Sequence, residues 1–75
     1  MTENKSLILS SVSPEERKIL LLLEEKGKYL YGNIFKELNL SATKGAELVL
    51  SLLSKGYIKN VGKTSFYELN VELIK

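Results

Sequence analysis

A chain of 75 residues with 44% hydrophobic and 27% charged residues has room for one small domain with an ordinary core, which excludes a multidomain enzyme and a disordered or low-complexity protein. It contains no Cys and no His, so disulfide staples, thiolate nucleophiles, imidazole bases and the usual zinc ligands are all missing; the chain is expected not to be an enzyme and to need no cofactor or metal. The net charge of +2 is uneven, running from −2 over residues 1–25 to +5 over residues 26–63 and −1 over the remainder, so a polyanion is a natural partner if the fold gathers the central lysines.

Residues 1–12 read as an N-terminal extension ahead of a domain over 13–75. Met1 to Ser6 are polar and aperiodic and are expected to fray, whereas Leu7-Ile8-Leu9 should pack back as a short strand or helical turn. That triplet is too short for a signal-peptide core, and Ile19 to Leu23 is far short of the ~20 apolar residues of a membrane span. No membrane is expected, and the expected location is cytoplasmic, associated with the nucleoid.

The first helix opens at Ser13-Pro14-Glu15-Glu16, a capping box with proline at the first helical position, and stops at Lys26-Gly27. Ile19, Leu20, Leu22 and Leu23 form its buried stripe, widened by Leu21. Tyr29-Leu30-Tyr31 then suits a stub of strand, and Asn33 to Leu38 a short helix closed by Asn39 in the left-handed conformation. Ser41 caps a third helix over 42–54. Projected at ~100° per residue, this helix presents Ala46, Val49, Leu50 and Leu53 on one face and Lys44, Leu48, Ser51 and Lys55 on the other, so the second set is expected outside. Tyr57 to Val61 and Ser65 to Leu69 alternate as two strands of a hairpin around Gly62-Lys63-Thr64, with Ile58, Tyr67 and Leu69 facing the core. Residues 70–75 suit either a continued strand or a short helix.

The stretch from Ile34-Phe35-Lys36-Glu37-Leu38-Asn39-Leu40-Ser41 through Leu53-Ser54-Lys55-Gly56-Tyr57-Ile58 resembles the winged helix-turn-helix DNA-binding domains of bacterial and archaeal transcription regulators. The small size is similar to the minimal regulators of crenarchaeal plasmids and viruses. Asn39, where glycine is usual, is the one departure, and a left-handed turn tolerates it. The resemblance covers about residues 14–69 and implies an α+β fold: three helices, a short strand between the first two, and a C-terminal β-hairpin wing.

It also implies a sequence-specific double-stranded DNA-binding transcription regulator, with residues 42–54 as recognition helix in the major groove and the wing over 57–69 on flanking backbone or minor groove. The implied contacts from the helix are Thr43, Lys44, Glu47, Leu48, Ser51 and Lys55. Lys59, Asn60, Lys63 and Thr64 would act from the wing, with Lys28, Tyr31 and Lys36 as backbone anchors. Transcription machinery or a second copy of the chain are further partners, the latter limited to residues 1–12 and 70–75 for an interface.

Duller readings stand beside these. Solvation of a surface helix is the lesser reading of Lys44 and Lys55, and the four tyrosines suit the edge of a core better than base stacking. The Glu15-Glu16 and Glu24-Glu25 pairs fit capping and a solvated face, since neighbours on a helix diverge. Two alternative functions remain open: a protein-interaction module docking through Leu48 and Leu52, and a sequence-independent nucleic-acid binder.

Overall fold

In the computed structural model, residues 6–75 are described; of the fraying expected of Met1 to Ser6, residues 1–5 lie outside them, while Ser6 opens a strand. The chain starts with β1 (Ser6–Ile8), passes through a 3-10 turn at Leu9–Ser11 and enters α1 (Pro14–Lys26). β2 (Lys28–Leu30) leads into α2 (Tyr31–Leu38), α3 (Ala42–Ser54), β3 (Ile58–Asn60), β4 (Phe66–Leu69) and β5 (Glu72–Ile74).

The caps read from the sequence set the helix boundaries. Ser13 accepts from the Glu16 backbone N–H and Glu16 reaches back to the Ser13 N–H, so the capping box satisfies two of the orphan donors at the start of α1. Asn39, at φ 55°, closes α2, and the Leu40 N–H then bonds the Phe35 carbonyl. Ser41 accepts from the Lys44 N–H and caps α3, which begins at the next residue.

α2 begins at Tyr31, ahead of the expected Asn33, and has no side-chain cap. Its first N–H is satisfied from across the chain, because Tyr31 N–H donates to the Ser65 carbonyl at 2.8 Å. No Ser, Thr or Asp was needed before it.

The hairpin strands β3 and β4 pair antiparallel with Ile58 opposite Leu69 and Asn60 opposite Tyr67, and β2 adds to the other edge of β4 with Tyr29 opposite Tyr67. This three-stranded sheet, in the order β2-β4-β3, covers the helices. Ile19, Leu20 and Leu23 from α1, Ile34 from α2, Val49 and Leu52 from α3 and Ile58 from β3 are all essentially inaccessible. Each such side chain contributes ~1.5–3 kcal/mol of burial, so the three helices and the sheet share one core.

A second sheet joins the two ends of the domain. β1 and β5 run parallel with Leu7 opposite Leu73, which settles residues 72–74 as a strand separate from β4. Leu7, Leu9 and Val12 are buried with α1, so the Leu7-Ile8-Leu9 triplet packs back onto the domain and the extension gives three side chains to the core, while Ile8 stays exposed. Arg17 fastens them: its Nε donates to the Leu9 carbonyl at 3.2 Å and its Nη2 to the Val12 carbonyl at 3.3 Å. Among the described residues no helix is long and apolar enough to cross a membrane.

Candidate nucleic-acid interface

α3 is turned differently from its sequence projection. Gly45, Leu48, Val49 and Leu52 face the core, while Thr43, Glu47, Leu50 and Ser54 face out, with Ala46 and Leu53 at the border. Leu48, expected outside, is 8% exposed, and Leu50, expected inside, is 64% exposed. The outward stripe thus lies one residue, roughly 100°, around the helix from the expected one. Gly45 explains the rotation: a Cβ there would stand 2.7 Å from the Phe35 ring, so the absent side chain is what lets α2 approach α3. Leu48 and Leu52 are core residues, which removes the surface on which docking of a protein through that pair was based.

Three of the polar residues expected to meet DNA point instead toward α1. Ser51 Oγ donates to Glu16 Oε2 at 3.0 Å and Lys55 Nζ to the same oxygen at 3.2 Å, with Lys55 also 5.9 Å from the centre of the Tyr57 ring. Lys44 Nζ stands 3.8 Å from Glu15, an exposed and weak pairing. Glu16 itself is 6% exposed. Burial disfavours its ionised form, but the hydrogen bonds from Ser51, Lys55 and Ser13 outweigh that and hold its carboxyl below the ordinary value of 4.5. The sequence showed Glu16 as a cap; that it also ties α1 to the far end of α3 was not visible there.

In the wing, side chains expected to reach outward are used to build the turn. Asn60 Nδ2 donates to the carbonyls of Thr64 at 2.6 Å and Phe66 at 3.1 Å. Thr64 Oγ1 donates to the Val61 carbonyl at 2.6 Å and accepts from the Phe66 N–H at 3.1 Å. With Gly62 at φ 61° the turn closes, leaving Lys63 exposed beside it.

The sheet's outer residues are mixed in sign. Glu68 is opposite both Lys28 and Lys59 in register, and Lys59 lies 3.8 Å from it. Lys28 sits 5.6 Å from the centre of the Phe66 ring. Among the described residues, Lys28, Lys36 and Lys63 have no carboxylate within 4 Å, so of the cations proposed for the interface these three keep their charge uncompensated.

Tyr31 is half-buried and positions the interface from within. Its ring centroid is 5.8 Å from that of Tyr67 in the wing and 4.6 Å from that of Phe35, whose ring lies against Gly45. An aromatic row therefore runs from wing to α2 to α3 and fixes their relative placement. No group of His, Cys, Asp and Glu residues able to hold a metal ion occurs among the described residues.

No protein-family profile matches the sequence, and no curated protein matches it either. Among solved structures, the fold is similar to the Zalpha domain of PKZ from Carassius auratus, crystallised in complex with Z-DNA. The two superpose with a TM-score of 0.66 at 27% identity, over 73% of this chain and 90% of that one. Three helices with an antiparallel hairpin, together with this likeness, make the chain an α+β winged-helix domain, the fold of that DNA-bound neighbour.

Proposed function

We propose that this chain binds double-stranded DNA in a sequence-specific manner and regulates transcription, with α3 in the major groove and the wing on the flanking backbone. The observation that carries this reading is the outward stripe Thr43, Glu47, Leu50 and Ser54 on a helix locked by Gly45 and Phe35 to a wing bearing Lys63, in a fold whose neighbour holds DNA. Lys36 and Lys63 supply phosphate contacts on either side, and Lys28 a third, since Lys44 and Lys59 face Glu15 and Glu68.

The test is a mobility shift on the DNA upstream of the chain's own coding sequence, with random duplex as competitor. A complex that survives competition and is weakened alike on every sequence by Lys63→Ala is the expected result. Absence of any complex at low salt overturns the reading. Binding confined to an alternating CG duplex held left-handed by brominated guanine would give this chain the neighbour's ligand in place of right-handed DNA.

A further inference from the structure

We infer that Glu47 and Leu50 select an adjacent cytosine and thymine in the major groove; this rests on the proposal that α3 enters that groove. Lys44 is turned to Glu15 and Lys55 to Glu16, so the stripe that remains, Thr43, Glu47, Leu50 and Ser54, exposes two hydroxyls, one carboxylate and aliphatic carbon, with no cation on it. Such a face does not grip phosphate.

A carboxylate only accepts hydrogen bonds, and it is repelled by every phosphate it passes, so Glu47 gains only where a base edge donates to it. In the major groove the donors are the amino groups of cytosine and adenine. Adenine sets its N7 acceptor beside that donor and repels the second carboxylate oxygen, whereas cytosine has no such acceptor. Cytosine is therefore the preferred partner.

Leu50 is a large aliphatic side chain left 64% exposed on the same stripe. The apolar group offered by a base edge in the major groove is the thymine methyl, and covering it removes Leu50 from water. Glu47 and Leu50 are three helical steps apart, a rise of ~4.5 Å against ~3.4 Å per base step, so the two residues meet neighbouring bases. Ala46 beside them leaves room for the helix to sit close.

The sign of the Glu47 effect separates this role from a structural one. Removing its charge should strengthen binding to random DNA while weakening binding to the preferred site, because the same carboxylate repels phosphate everywhere and is rewarded at one base only. Both side chains are exposed, so their variants should keep the wild-type fold.

The experiment selects sites from a pool of random right-handed duplexes with the full chain, then compares wild type, Glu47→Gln and Leu50→Ala by fluorescence anisotropy. The expected site contains adjacent cytosine and thymine. Discrimination at the cytosine should drop from about tenfold to under about twofold in Glu47→Gln, with tighter binding to random duplex. Replacing the selected thymine by uracil removes only the methyl; it should weaken wild type several-fold and leave Leu50→Ala unchanged. A selected site whose preferences are the same in both variants overturns the inference while leaving DNA binding intact. If no duplex is retained at low salt, the reading of the chain as a DNA binder falls, and this inference with it.

Discussion

Glu16 combines two tasks at one position, capping α1 and accepting from Ser51 and Lys55 on α3. The first was legible in Ser13-Pro14-Glu15-Glu16, because a capping box is local. The second was not, since its partners lie 35 and 39 residues away. The folded carboxyl is held below its ordinary value, so its contribution to stability is complete above the unfolded carboxylate pKa and is lost as pH falls through the folded one. Glu16→Gln should cost about 1–2 kcal/mol at neutral pH, with the gap from wild type in urea unfolding narrowing as pH falls from about 7 to about 3. Gly45 makes the complementary case, a residue valued for what it omits. Gly45→Ala gains ~1 kcal/mol of helix propensity but drives a Cβ into the Phe35 ring, so thermal unfolding should show a net loss of about 1 kcal/mol. Adding Phe35→Leu should make the alanine stabilising relative to that single variant, the coupling expected of two residues in contact.

Among the elements, the hairpin and α1 were readable because their patterns admit one solution: alternation with a glycine turn, and a stripe bounded by a capping box and glycine. α3 admitted two. Leu48, Val49, Leu50, Leu52 and Leu53 ring its second half with apolar side chains, so both Ala46-Val49-Leu50-Leu53 and Gly45-Leu48-Val49-Leu52 have helical spacing. A hydrophobicity count favours the first, because glycine adds nothing to it. Packing favours the second, because glycine is where another helix approaches most closely. The rotation exchanged Leu48 for Leu50 on the outer face and drew Ser51 and Lys55 toward Glu16, while Thr43 and Glu47 stayed outside. Urea unfolding distinguishes the two faces directly. Leu48→Ala should cost about 2–4 kcal/mol, and Leu50→Ala no more than about 0.5 kcal/mol; the projection from sequence requires the reverse order.

For the whole molecule, a net charge of +2 understates how little of the positive charge is uncommitted at the interface, since Lys44, Lys55 and Lys59 all face carboxylates. With Lys28, Lys36 and Lys63 as the cations available to phosphate, log affinity for DNA should fall against log salt with a slope near about −3, as measured by anisotropy between about 50 and 200 mM. Lys63→Ala should reduce that slope by about one. The overall fold was legible because helix, stub, helix, turn, helix and hairpin occur in an order with few packings. The pairing of β1 with β5 was not, for two strands of three residues each carry too little pattern to reveal a partner at the other end of the chain. That pairing has a mechanical consequence. Because the strands run parallel, tension applied between residue 6 and residue 75 pulls them past each other along their length, and the bonds of the ladder share the load instead of parting one by one. The same small sheet that closes the core around Leu7 is therefore a clamp against stretching by the ends, and it gives way most readily to a force that peels one strand sideways.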